Sequence, residues 1–300
     1  MNSLMSQFLT PSVILLSIVL GFVFPDVGLV WKPYLAVLLM LLMFFVMLGL
    51  EPEQITRSLR AYPVIGVGLF SVFVLLPLLS TLAKPFFSPI IVTGVLLAFS
   101  CPSAVATSFW VGVFKGDVAT GLVVSTIANA VSVFTVPVTM LVAMGTVVSV
   151  DVVGMMINLA EIVLVPMVAS LLLKRLIRLD WKRIARHGFN AQLGLLVLLV
   201  WGSIASGVAY AKSNANEFVV LNVFMLAVLA LAFGATYTLG RKFGHEQAIA
   251  IALATTVKNA VLSLVIGLAV FGSQVLPPLI ANLMAQNLLL VPLVWLFREK

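Results

Sequence analysis

The residues able to do chemistry in this sequence sit in a few places inside long apolar runs. Ser100-Cys101-Pro102-Ser103, with Thr107 and Ser108 close behind, interrupts one run, and Thr255-Thr256-Val257-Lys258-Asn259 interrupts another. Asn129 and Ser132 follow the first cluster; Ser263, Asn282, Gln286 and Asn287 follow the second. Hydroxyls and amides donate and accept hydrogen bonds, and a lysine adds a positive charge with three donors. Such a set can hold an ion or a small polar solute. With one cysteine, two histidines and ten acids, the chain offers no thiolate metal site and no nucleophile–base pair, so neither a metal centre nor an enzyme is expected.

Lys258 is the sharpest of these signals. It lies about 12 residues from either end of its apolar run, roughly 18 Å along a helix and too deep to snorkel to an interface. A cation at that depth costs at least ~3 kcal/mol and persists where it has a partner or a task. Three readings stand: it holds an anionic substrate, it titrates in proton coupling, or it is a structural cation for the carbonyl ends of broken helices. Glu161, the one acid that falls mid-span, pairs with Lys258, shuttles protons, or faces a polar cavity near Asn158.

The elements that carry these residues follow from composition. The chain is 62% hydrophobic and 9% charged, against about 25% charged for a soluble domain, so its outer surface must face lipid. Runs of about 20 apolar residues occur ten times, at 8–24, 33–50, 62–83, 89–114, 117–146, 152–173, 189–209, 217–239, 246–271 and 274–297. Turn or charged clusters such as Pro25-Asp26, Glu51-Pro52-Glu53 and Gly240-Arg241-Lys242 separate most of them, and the longest connection, 174–188, reads as a short basic loop. Met1 to Gln7 has no basic region or cleavage pattern, so the first run is expected to be a retained membrane helix.

Basic residues give the topology. Arg57, Arg60, Lys115, Lys174, Arg175, Arg178, Lys182, Arg183, Arg186, Arg241, Lys242, Arg298 and Lys300 fall on one side, and only Lys32, Lys84 and Lys212 on the other. This bias predicts a cell (inner) membrane protein with both termini cytoplasmic. It also accounts for the net charge of +7 without nucleic-acid binding.

The ten segments divide into two sets of five, 8–146 and 152–297, within a single transmembrane domain over 1–300. Pro11 and Pro166, and likewise Pro137 and Pro292, are separated by 155 residues. The polar interruptions fall in the fourth segment of each half. An odd number of segments per half inverts the second half, and inverted repeats with paired broken helices are a secondary-transporter architecture. The expected fold is therefore all-α and polytopic, with ten transmembrane helices in two inverted five-helix repeats and broken crossing helices 4 and 9. Pro102 supplies the first break, because it cannot donate a backbone hydrogen bond and disfavours helix at the residue before it.

The stretch Ser100-Cys101-Pro102-Ser103-Ala104-Val105-Ala106-Thr107-Ser108-Phe109-Trp110, followed by Lys115-Gly116-Asp117, resembles the fourth-helix signature of the bile acid:sodium symporter family. The resemblance implies a panel of helices 1, 2, 6 and 7 facing a core of helices 3–5 and 8–10, with sodium behind the crossing and organic anions in the crevice. It would place Ser108 and Asn129 at the first sodium site, where the family commonly has Asn and Thr. In helix nine the family's Glu and Gln sodium ligands are replaced by Ala254 and Lys258, and only Asn259 of the Gln-Asn pair is kept. Losing a carboxylate and gaining an ammonium removes the charge balance and the oxygen ligands a hard cation needs. Arsenite efflux carriers share a related motif but have Cys after the proline, where this chain has Ser103.

The expected function is secondary transport of a small organic anion, sodium-independent or proton-coupled. The substrate- or ion-binding residues would be Pro102, Ser103, Thr107, Ser108, Asn129, Thr255, Thr256, Lys258 and Asn259, with Glu161 a proton or charge partner. No cofactor and no obligatory protein partner is expected. A sodium-coupled symporter is the alternative, and a non-transporting membrane sensor or scaffold is the alternative of another class.

Overall fold

A computed structural model describes residues 3–48, 62–104, 107–145, 150–177 and 181–298. Glu51-Pro52-Glu53, Arg57, Arg60, Val105, Ala106, Arg178 and Lys300 lie outside the described residues. Among those described, regular structure is helical throughout, apart from one isolated two-residue bridge. In lipid a helix is the way a single segment satisfies its own N–H and C=O groups.

Along the chain the helices are α1 (Ser3–Val23), α2 (Pro25–Leu48), α3 (Tyr62–Ala83), α4 (Pro89–Ser100), α5 (Thr107–Val113) and α6 (Val118–Met144). They continue with α7 (Val152–Leu176), α8 (Trp181–Ser213), α9 (Ala215–Gly240), α10 (His245–Thr256), α11 (Ala260–Phe271) and α12 (Leu276–Arg298). Seven stretches are long and apolar enough to cross a membrane: α2, α3, α6, α7, Asn190–Ser213 in α8, Ala215–Phe243 and Ser273–Leu293. This is a polytopic integral membrane protein.

The apolar runs 89–114 and 246–271 are each divided in two. Helices α4 and α11 have 12 residues apiece, about 18 Å against a hydrocarbon core of about 30 Å, so neither crosses alone. The expected basic loop at 174–188 is corrected by the structure. Helix α7 runs on to Leu176 and α8 already begins at Trp181, which leaves only a short connection. Lys and Arg are good helix formers, and Lys174 and Arg175 lie in the last turn of α7, where the dipole favours cations.

Helix α8 packs on α1 and α2, and α2 packs on α7. Helix α9 packs on α10 and α12, while α4 and α11 also pack on α12, and α5 and α10 on α6. Close approach at α12 depends on two glycines. A Cβ on Gly94 would stand 2.3 Å from Pro278 Cγ, and one on Gly267 2.4 Å from Leu279 Cδ1, so any larger residue pushes the half-helices off α12.

Two of the long helices contain a π segment with a proline two residues beyond it: Ser71–Leu75 before Pro77 in α3, and Ala160–Leu164 before Pro166 in α7. In the first, the Leu76 N–H goes to the Ser71 carbonyl, and Pro77 has no N–H to give. The Val72 carbonyl is thereby left without a donor from its own helix. The Glu161 carbonyl is freed in the same way, since the Val165 N–H goes to Ala160 and the next residue is Pro166.

Candidate functional site

Helix α4 ends at Ser100, Pro102 bars its continuation, and α5 begins at Thr107; helix α10 ends at Thr256, and α11 begins at Ala260. The two interruptions lie against each other as a single antiparallel bridge with Ser103 opposite Lys258. The Ala104 N–H donates to the Val257 carbonyl and the Asn259 N–H to the Pro102 carbonyl, both at 2.8 Å. Each break thus satisfies backbone groups of the other, which lipid could not do.

Side chains complete the junction. Ser103 Oγ donates to the Ala254 carbonyl, and Thr107 Oγ1 to the Val257 carbonyl at 3.3 Å, capping the end of α10. Asn129 Nδ2, from α6, donates to the Ser103 carbonyl at 2.9 Å and to Ser125 O at 2.8 Å. From the other side, Gln286 Oε1 of α12 accepts the Lys258 backbone N–H at 3.0 Å. One amide therefore holds each arm of the bridge. Asn259 Oδ1 accepts from the Leu262 N–H at 3.1 Å, which makes it the N-cap of α11.

Lys258 is fully buried, and its Nζ donates to the Val72 carbonyl at 3.1 Å, the oxygen released by the π segment and Pro77. The carboxyl ends of α4 and α10 both terminate at this junction and present their negative dipole ends to it. That field and the Val72 oxygen offset the burial of a cation. Ser71 Oγ, Ser125 Oγ and Asn129 Oδ1 are buried acceptors with no partner, and Asn259 Nδ2 is a buried donor with none. Ser71 is the chain neighbour of Val72, and Asn129 bonds the Ser103 carbonyl opposite Lys258, so part of this unused polar capacity belongs to residues of the junction.

Pro102, Ser103, Thr107, Asn129, Lys258 and Asn259 are thus brought together. Thr255 and Thr256 are buried nearby, but their hydroxyls turn back to the Ile251 and Ala252 carbonyls of their own helix at 2.9 and 2.8 Å. Their donors are thus used within α10. Ser108 lies half-buried on α5. Glu161 is not at the junction. It is exposed on the face of α7 that carries Ile157 and Val165, opposite buried Leu159, Ile162 and Pro166, and it forms no ion pair with Lys258. Three residues apart from the expected set matter here: Gln286, Val72 and, through its missing N–H, Pro77. Pro77 is the sequence signal for Val72, because a proline five residues on deprives a widened ladder of its donor.

Lys115-Gly116-Asp117 has a structural job. Lys115 takes a left-handed φ of 58°, Gly116 passes so close to Ile249 that a Cβ would lie 2.8 Å from its Cγ2, and Asp117 caps α6 through the Ala119 N–H. The Asp117 N–H also donates to the Glu246 carbonyl at 3.0 Å, tying the start of α6 to the start of α10. Among the described residues, no group of three or more His, Cys, Asp or Glu could hold a metal ion.

Residues 7–293 match the model of the SBF-like CPA transporter family. The chain is also similar to two Bacillus subtilis (strain 168) proteins. It is 25% identical over 262 residues to YocS, described as an uncharacterized sodium-dependent transporter, covering 85% of this chain and 79% of YocS. It is 24% identical over 204 residues to the uncharacterized protein YbaS, covering 67% of each.

Proposed function

Because the chain belongs to the SBF-like CPA transporter family, and so is a non-enzymatic membrane transporter, we propose that it carries a small organic anion by alternating access without sodium coupling. In this reading the chain forms ten membrane helices in two inverted five-helix repeats, lies in the inner membrane, and keeps both termini in the cytoplasm. The buried Lys258 ammonium carries the proposal. When protonated it supplies a cation of the protein's own at the junction of the broken helices, where a sodium-coupled carrier would need an ion from solution. Ala254, at the position where the resemblance expects a glutamate, leaves that cation without an acidic neighbour on α10. A bound carboxylate, sulfonate or similar group would complete the charge balance, aided by the free Asn259 Nδ2.

Sodium coupling is the second reading, favoured by the description of YocS as sodium-dependent. Its ligands here would be Ser108, Asn129 and neighbouring oxygens. Uptake into proteoliposomes separates the two. With organic acids inside or outside, flux should be unchanged when choline replaces sodium. The double variant Ala254→Glu, Lys258→Gln, which restores a carboxylate and removes the ammonium, should make it sodium-dependent. Acceleration of the unaltered protein by a sodium gradient would overturn the proposal.

A further inference from the structure

An apolar cleft of about 430 Å³ opens between the end of α3 and the middle of α9, beginning nine residues beyond Val72. Leu82, Pro85 and Phe86 form one wall, and Phe224, Ala227 and Leu231 the other. The α9 residues recur at helical spacing, so they share one face, and the small Ala227 leaves room between Phe224 and Leu231 above the buried Val228. From Phe224 to Leu231 the wall is roughly 10 Å long. The lining offers a guest no free side-chain donor, because Thr81 Oγ1 already donates to the Leu78 carbonyl of its own helix at 2.7 Å. A polar solute would therefore leave its own groups unpaired, whereas a hydrocarbon chain loses nothing.

The ends of the cleft differ. At one end Phe86, 71% exposed, leans on Phe224 at a ring distance of 6.4 Å, and Phe87 meets the same ring edge-on at 5.4 Å. Lys84 stands exposed in this turn, next to Pro85, while the opposite end at Leu231 is wholly apolar. A lysine at one end with hydrocarbon at the other matches the polarity of a lipid, headgroup outward and acyl chain inward. We propose that this cleft is a binding site for one acyl chain of an anionic glycerophospholipid, whose headgroup phosphate sits at Lys84. The site is independent of the transported substrate.

The test uses the full-length protein in detergent and in phosphatidylglycerol/phosphatidylethanolamine vesicles. Native mass spectrometry should show one phosphatidylglycerol retained through delipidation, and Ala227→Trp, which fills the space between Phe224 and Leu231, should remove it. Lys84→Ala should keep a bound lipid but reduce the preference for phosphatidylglycerol about two- to fivefold, the effect of one exposed ion pair. A phosphatidylglycerol with a photoreactive acyl chain should label 81–86 and 224–231 in the unaltered protein. That measurement decides alone if the tryptophan variant does not fold. Labelling spread equally over other lipid-exposed positions such as Val138 and Val142, or lipid retention unaffected by Ala227→Trp, would overturn the assignment.

Discussion

The ammonium of Lys258 donates to the carbonyl oxygen of Val72, 186 residues away in sequence and 3.1 Å away in space. The acceptor exists because α3 widens into a π segment just ahead of Pro77, and the donor reaches it because α10 stops short of Lys258. A defect in one helix thus answers a defect in another, and the consequences can be measured.

Lys258→Met preserves the apolar stem and removes the donor. The Val72 carbonyl then has no partner in a buried site, at a cost of about 1–3 kcal/mol. Thermal unfolding in detergent should show a lower midpoint, and anion uptake should be lost. A variant as stable and as active as the parent would mean that the ammonium holds neither helix nor substrate.

Pro77→Ala supplies the N–H that proline withholds, so the Val72 carbonyl gains a donor from its own helix. Alone it should change stability little. Combined with Lys258→Met it should recover part of the loss, giving a coupling of about 0.5–3 kcal/mol in a double-mutant cycle. Simple additivity of the two changes would break the proposed link between the proline and the lysine.

Gln286→Leu removes the acceptor of the Lys258 backbone N–H, and a buried N–H left unpaired costs about 1–3 kcal/mol. Gln286→Glu keeps an oxygen in place and should stay closer to the parent. If both variants unfold at the parent's midpoint, α12 does not hold the bridge.

Gly94→Val should destabilise by about 1–3 kcal/mol through overpacking against Pro278, whereas Gly66→Val, at a glycine with open space around it, should be tolerated. Equal midpoints for the two variants would contradict the close approach of α4 to α12.

Glu161→Gln should leave stability within about 0.5 kcal/mol of the parent, since the side chain is exposed and ion-pairs with no described residue. Its effect on flux driven by a pH gradient then reports on proton movement alone. A large fall in the unfolding midpoint would place the carboxylate in a structural contact.

The sequence was readable wherever the physics is local. Apolar runs in a chain with 9% charge can only be membrane helices, and Pro102 cannot continue one, so the membrane class and the first interruption follow from residue types. Ser103, Asn129, Lys258 and Asn259 could be singled out because an amide, hydroxyl or amine amid hydrocarbon needs a partner. The roles of Thr255 and Thr256 could not be separated from theirs, because a hydroxyl serves its own helix or a ligand equally well until the helix is placed.

What only the tertiary structure decided is which partner each group found. Lys258 meets a backbone oxygen of α3 rather than Glu161, and Gln286 rather than a closer residue takes its N–H. Backbone carbonyls carry no sequence label, and contacts between helices far apart in the chain depend on crossing angles that local patterns do not encode. Residue chemistry thus determined that the buried charge and the two breaks needed compensation, and the packing of α3, α6, α10 and α12 decided where it came from.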